Sequence, residues 1–313
     1  MMRIAISVGD LNGIGIQLAL ENHNRIKEIV EPIYFIDIEM LRRASKLLNL
    51  PIPKDFNCSE NIGDIFTIKP STVTKESGAY SFASFKKAVK LCMKKRVDGI
   101  MTLPIHKKAW ELAGIEYKGH TDALRDFFDR PAIMMLGCSK MFVALYTEHT
   151  PLREVPDQIK NVQKLSSFLI DFYNAIDEKG EIALLGVNPH AGDDGVLGDE
   201  ERYIMEAREI AHQKIGKQVY SKPLVPDIAF TPKSRSRYNY FVAMYHDQGL
   251  APLKALYFDE GINISLNLPI MRASVDHGTA FDIAYSGAEL NSLSYLNAIE
   301  YLSKAQSLST QYH

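Results

Sequence analysis

The sequence predicts an α/β fold with a mixed sheet, in one large or two medium domains. Three observations carry this. Short apolar runs of strand character recur along the chain and alternate with amphipathic helical stretches. One pair of runs, Ile133–Leu136 and Met141–Thr147, is joined by the turn Gly137-Cys138-Ser139-Lys140 and reads as an antiparallel hairpin. The 313 residues, 46% of them hydrophobic, supply ample core.

Ile4–Val8 is the first buried strand. Gly9-Asp10-Leu11-Asn12-Gly13-Ile14-Gly15-Ile16 then turns into a helix through Leu18, Ala19 and Leu20. Such a turn could cradle an anion or be purely structural. It is not GxGxxG, and the next strand, Ile33–Ile38, ends in Asp37 without the full dinucleotide fingerprint. Helices follow over Met40–Leu48 and over Ser77–Arg96, where Phe82, Phe85, Ala88, Val89 and Cys92 share one face. Val97–Thr102 is a strand. Pro104 suits the first turn of the next helix, whose Lys107 and Lys108 are either a solvated face or a substrate contact. Gly119-His120-Thr121-Asp122 opens another helix, with Thr121 as N-cap and Asp122 in the first turn. Pro156–Ile176 reads as one long helix, Ile182–Val187 as a strand and Asp199–Lys214 as a helix. Pro223–Phe230 and most of Lys254–Leu268 read as extended. Residues 275–284 read as a turn entering a helix, and Asn291–Leu308 as the last helix.

Net charge is −2, so no basic field favours nucleic acid or an anionic membrane as partner. No apolar run nears the ~20 residues of a membrane span, and the amino-terminal run is too short for a signal peptide. Cys58, Cys92 and Cys138 are widely spaced, without a CxxC pair, as expected of reduced thiols in a cytoplasmic protein.

Phe241-Val242-Ala243-Met244-Tyr245-His246-Asp247-Gln248-Gly249 is an apolar strand ending in His-Asp-Gln-Gly. Strand carboxyl ends are where open α/β sheets bind ligands. This His could ligate a metal, shuttle a proton or simply end a strand. His149 and His190 likewise follow apolar runs. Three imidazoles with an open position suit Zn²⁺ or another divalent ion, although their long separations match no short-spacing motif. Lys254, Asn263 and Arg272 could hold an anionic substrate or be ordinary surface residues.

Several motifs occur in a fixed order. They are Gly9-Asp10-Leu11-Asn12-Gly13-Ile14-Gly15, Leu103-Pro104-Ile105-His106-Lys107-Lys108, Gly119-His120-Thr121-Asp122, His149-Thr150-Pro151-Leu152-Arg153, Asn188-Pro189-His190-Ala191-Gly192, Tyr245-His246-Asp247-Gln248-Gly249-Leu250, and the segment from Ser274 to Ala284. In this order they resemble the 4-hydroxythreonine-4-phosphate dehydrogenase family of the pyridoxal phosphate pathway, over residues 9 to about 284.

The resemblance implies two α/β/α domains with mixed sheets, similar to isocitrate and isopropylmalate dehydrogenases, with the active site in the interdomain cleft. The first domain would be 1–125 plus 268–313, with the cofactor loop. The second would be 126–267, with the metal histidines and the dimer contact. It further implies oxidation of 4-phosphohydroxy-L-threonine by NAD, or NADP, and decarboxylation to 3-amino-2-oxopropyl phosphate at a divalent cation (Zn, Mg or Co). The metal ligands carry over onto His149, His190 and His246, and the substrate contacts onto His120, Thr121, Lys254, Asn263 and Arg272. Asp276, His277, Gly278 and Asp282 are the candidate cofactor contacts, and Lys107 or Asp247 the candidate proton carrier. The family's homodimer would share its active site between chains. The sequence departs from the usual Gly-Asp-Pro-x-Gly-Ile-Gly-Pro-Glu at Leu11, Ile16 and Gln17, at a small expected cost. Two alternatives are a relative acting on another phosphorylated hydroxy acid and a phosphate acyltransferase, which would not need the three histidines. A metal or nucleotide binder without turnover is a third.

Overall fold

The computed structural model describes residues 1–176 and 180–304. In chain order the elements are β1 (Arg3–Ser7), α1 (Gly15–Ile26), β2 (Glu31–Phe35), α2 (Ile38–Leu48), α3 (Lys75–Met93), β3 (Gly99–Thr102), α4 (Lys107–Leu112) and α5 (His120–Phe128). There follow β4 (Ile133–Cys138), β5 (Met141–Leu145), α6 (Val155–Lys160), α7 (Val162–Ala175), β6 (Ile182–Leu184), α8 (Glu200–Ile215), α9 (Pro232–Arg235), β7 (Tyr240–Ala243), α10 (His246–Tyr257), β8 (Ile262–Leu266), β9 (Arg272–Val275) and α11 (Leu293–Lys304). The chain divides into two compact units, Met1–Arg130 with the segment from Leu268 onward, and Pro131–Asn267. A division after residue 125 would cut through α5.

In the first unit the strands run β2-β1-β3-β9, all parallel, with Ser7 opposite Thr102 and Thr102 opposite Ser274. Helix α3 packs on β1, β2 and β3, and α11 on β3 and β9. β1, β3 and β9 are buried almost throughout, as an internal parallel sheet requires. All four strands end on the same edge, where Asp10, His106 and Asp276 follow.

The second unit has the order β8-β4-β5-β7-β6. β4 is antiparallel to both β8 and β5, while β5, β7 and β6 are mutually parallel, so this sheet is mixed. The expected hairpin is present: Cys138 pairs with Met141 and leaves a loop of Ser139 and Lys140. Val143, Leu145, Phe241 and Ala243 form its core with Leu250 and Leu253 of α10.

Several elements differ from expectation. The helix expected over Pro156–Ile176 breaks at Asn161, whose side-chain oxygen caps α7 by accepting from the Lys164 N–H at 3.1 Å. Residues 246–257 are helical, which places Lys254 on α10 rather than on an extended segment. Burial of Leu250 and Leu253 against the sheet outweighs Pro252 in the helix interior. Pro223–Phe230 is no strand and makes only an isolated bridge, Leu224 with Leu185. Residues 281–287 form successive turns, because Ala280 and Tyr285 take left-handed φ of 44° and 58° and stop a helix there. Gly119, not Thr121, precedes α5. Pro104 lies before α4, its carbonyl accepting from the Asp10 N–H at 2.8 Å. Of the last predicted helix, residues 305–308 lie outside the described residues.

Candidate active site

In the first unit, β9 begins with Arg272 and α5 with His120, both buried. Arg272 donates from Nε and Nη2 to Thr102 Oγ1 at 3.1 and 2.8 Å, and its Nη2 stands 3.4 Å from His120 Nδ1. Burial pushes the guanidinium down to about 9, which leaves it charged at neutral pH. The His120 ring sits edge-on against Phe85 and Trp110, at 4.7 and 5.4 Å between centroids. Burial, then the neighbouring Arg272, hold its pKa well below 6.5, so the ring is neutral. A guanidinium only donates, so Nδ1 is the acceptor and Nε2 carries the hydrogen. That Nε2 is buried without a hydrogen-bond partner among the described residues. The result is a buried cation beside an unused N–H donor, an arrangement that suits a phosphorylated or carboxylated ligand. Thr121, the next residue, is also buried. Lys107 lies exposed at the start of α4.

The Gly9–Gly15 turn is a structural hub. Asp10 is buried; its Oδ1 accepts from the Asn12 N–H at 2.9 Å and its Oδ2 from the Ser77 hydroxyl at 3.1 Å. Burial raises the Asp10 pKa, opposed by these bonds and by His106. Asn12 donates to the Thr72 carbonyl at 2.7 Å and accepts from the Lys69 N–H at 2.9 Å. The Ile14 N–H donates to the Thr279 carbonyl at 3.1 Å, and Tyr285 Oη to the Leu11 carbonyl at 2.7 Å. These bonds favour the structural reading of the turn over an anion cradle.

The same bonds anchor the 276–282 loop. The Ser71 hydroxyl donates to the Phe281 carbonyl, the Phe281 ring stacks on His106 at 4.9 Å, and the Asp276 N–H donates to Ser294 Oγ at 3.1 Å. Asp276 and His277 are half-buried, Gly278 and Asp282 exposed, and a Cβ added at Gly278 would meet nothing within 4 Å.

In the second unit, β5, β7 and β6 end on one edge, and His149, His246 and His190 follow them. The Thr147 hydroxyl donates to the Met244 carbonyl at 2.7 Å, and Gln248 joins the Met244 N–H to the Gly186 carbonyl at 2.7 and 2.6 Å. These bonds tie the three strand ends together. The His149 and His246 rings lie 5.9 Å apart, tilted by 35°. Two imidazoles sharing a tetrahedral ion at ~2.0–2.1 Å have centroids roughly 5 Å apart, so the pair fits two ligand positions with a small adjustment. His246 Nδ1 meets Asp247 Oδ1 at 2.9 Å, which leaves Nε2 for ligation. His190 does not join them: among the described residues no three His, Cys, Asp or Glu side chains form a metal-holding group. It lies in a left-handed run from His190 (φ 54°) through Asp194 (φ 52°), braced by Glu201, whose Oε1 accepts from the Val187 and Asn188 N–H groups at 2.8 Å each. Lys254 Nζ lies 5.9 Å from the Phe258 ring, and Asn263, on β8, is half-buried opposite Leu136 of β4.

A family model described as pyridoxal phosphate biosynthetic protein PdxA matches residues 28–302. The chain belongs to the PdxA family. A 4-hydroxythreonine-4-phosphate dehydrogenase of Sulfurimonas denitrificans is 56% identical over 299 residues, covering 96% of each chain. One of Campylobacter fetus is 52% identical over 303 residues, covering 96% of this chain and 97% of that one. The crystal structure of a 4-hydroxythreonine-4-phosphate dehydrogenase from Klebsiella pneumoniae matches with a TM-score of 0.84 at 31% identity, covering 98% of this chain and 100% of that one.

For a PdxA chain, the structure brings together His120 with Arg272 and His149 with His246, and leaves His190 apart from the latter pair. Sequence reasoning missed Thr102, Glu201 and Gln248. Thr102 ends a predicted strand, so a polar residue about to be buried was a usable signal, and Gln248 lies inside a recognised motif. Glu201 carried none, because an acidic first turn of α8 reads as an exposed favourable charge.

Proposed function

We propose that this chain oxidises 4-phosphohydroxy-L-threonine with NAD and that decarboxylation follows, giving 3-amino-2-oxopropyl phosphate for pyridoxal 5'-phosphate biosynthesis. Within this family, the observation that carries the reading is the buried charged Arg272 beside neutral His120 with its unused Nε2–H. Arg272 offsets phosphate charge and His120 donates to a substrate oxygen, with Thr121 in the same helix start. Lys254 and Asn263 are the substrate contacts proposed for the second unit.

His149, His190 and His246 are proposed to hold a divalent cation, which when bound supplies Lewis acidity toward the substrate hydroxyl and the later β-keto acid carbonyl. Asp247 orients His246, and the hydroxyl proton would pass to the Asp247 carboxylate, or to Lys107 in its neutral amine form, as the hydride leaves. NAD, or NADP, would supply the hydride acceptor when bound, with its contacts proposed at Asp276, His277, Gly278 and Asp282. The chain works as a cytoplasmic homodimer in this reading, with its active site shared between the two copies.

The test is purified protein with 4-phosphohydroxy-L-threonine, NAD or NADP, and Zn²⁺, Mg²⁺ or Co²⁺ in turn, following reduced nicotinamide and released CO₂. Both are expected with at least one metal. Absence of both in every combination overturns the assignment.

A further inference from the structure

We infer that Thr102 is a positioning residue: its hydroxyl sets the aim of Arg272 and, through Arg272, the tautomer in which His120 meets substrate. The inference rests on the substrate reading above for its catalytic meaning, but its geometry stands alone. Thr102 is the last residue of β3, fully buried, and paired in register with Ser7 on one side and Ser274 on the other. Its acceptor is therefore fixed to the middle of a parallel sheet, on a β-branched side chain with restricted χ1.

One oxygen takes two N–H groups of the same guanidinium, Nε at 3.1 Å and Nη2 at 2.8 Å. Two bonds to one acceptor fix the rotation of the guanidinium plane as well as its distance. The plane so fixed turns Nη2 toward His120 Nδ1 at 3.4 Å, and a donor facing Nδ1 selects the ring form with hydrogen on Nε2. Nε2, buried and without a protein partner, is the atom left for substrate. A hydroxyl acceptor orients the guanidinium while adding no negative charge of its own.

The experiment compares wild type with Thr102→Val, which keeps the shape and removes the acceptor, and Thr102→Ser, which keeps the hydroxyl. The first readout is the ¹⁵N spectrum of the imidazoles without substrate or metal. Wild type should show neutral His120 with hydrogen on Nε2, Thr102→Val a mixture of ring forms, and Thr102→Ser the wild-type pattern. The second readout is steady-state kinetics. Thr102→Val should lower kcat/KM for the phosphorylated substrate by about 10–100-fold, mostly through KM, with Thr102→Ser restoring most of it. A wild-type ring protonated on Nδ1 overturns the inference even if Thr102→Val does not fold. So does a Thr102→Val protein with an unchanged ring and unchanged KM. Failure of wild type to turn over 4-phosphohydroxy-L-threonine bears on the substrate reading and leaves the tautomer test intact.

Discussion

Gly249 lies in α10 three residues after His246, and a Cβ built on it would stand 2.4 Å from Val143 Cγ1 and 3.0 Å from Ala243 Cβ. Unstrained carbon contacts sit at about 3.5–4.0 Å, so Gly249→Ala must lift the helix from the sheet by roughly 1 Å. Neither neighbour can yield cheaply. Ala243 has no rotamer to change, and Val143 is β-branched and fully buried in β5. Overpacking of this kind costs ~1–3 kcal/mol, and the better helix propensity of alanine offsets ~1 kcal/mol of it. We expect a net loss of up to about 2 kcal/mol, read as a lower urea midpoint at constant m-value. Val143→Ala removes the clashing methyl, so the double variant should be more stable than the two single losses add up to, by at least ~1 kcal/mol of coupling. His246 moves with the helix, so Gly249→Ala should also weaken Co²⁺ binding. Additive losses would refute the role of Val143, and an unchanged midpoint with unchanged Co²⁺ affinity would refute the packing argument.

Three further outcomes are expected. His149→Ala and His246→Ala should each abolish specific divalent-ion binding by calorimetry, while Asp247→Ala should weaken it by about 10–100-fold by freeing the His246 ring. Arg272→Lys keeps a charge but not the fork, and should lower kcat/KM by at least about tenfold in the nicotinamide assay. The His120 pKa is depressed, so below its ordinary 6.5 the unfolded chain binds a proton that the folded chain refuses. Stability linked to this group is thus fully present above pH 6.5 and falls as pH drops below it, and denaturation midpoints of His120→Asn should lack that component.

The strand-by-strand reading found the hairpin at Gly137–Lys140 and the carboxyl-end placement of His149, His190 and His246, because apolar runs report burial directly. It misread residues 246–257, where helix formation depends on a sheet that Leu250 and Leu253 can face and that no local pattern shows. It could name His120 and Arg272 through the motifs around them. It could not show that they lie side by side, since 152 residues separate them and only the β3–β9 pairing brings β9 to that edge. Nor could it anticipate the left-handed run at His190–Asp194. Four non-glycine residues there hold positive φ against their intrinsic preference, and the bonds from Glu201 that hold the strand end just before them, at Val187 and Asn188, come from a helix 13 to 14 residues further along the chain.

Gln17 shows how a departure from a family motif is absorbed. The usual residue at this place carries a carboxylate, whereas here a buried amide donates from Nε2 to Glu21 Oε1 at 2.8 Å and to the Ala288 carbonyl at 3.1 Å. Both partners are acceptors, and a carboxylate could satisfy neither; it would face one like charge and one carbonyl oxygen. The amide instead ties α1 to the segment leading into α11. Leu11 and Ile16 are fully buried, and the Leu11 carbonyl holds Tyr285 Oη. Of the three departures, Gln17 thus adds a side-chain tie from α1 to the segment before α11, while Leu11 and Ile16 fill the core around the turn.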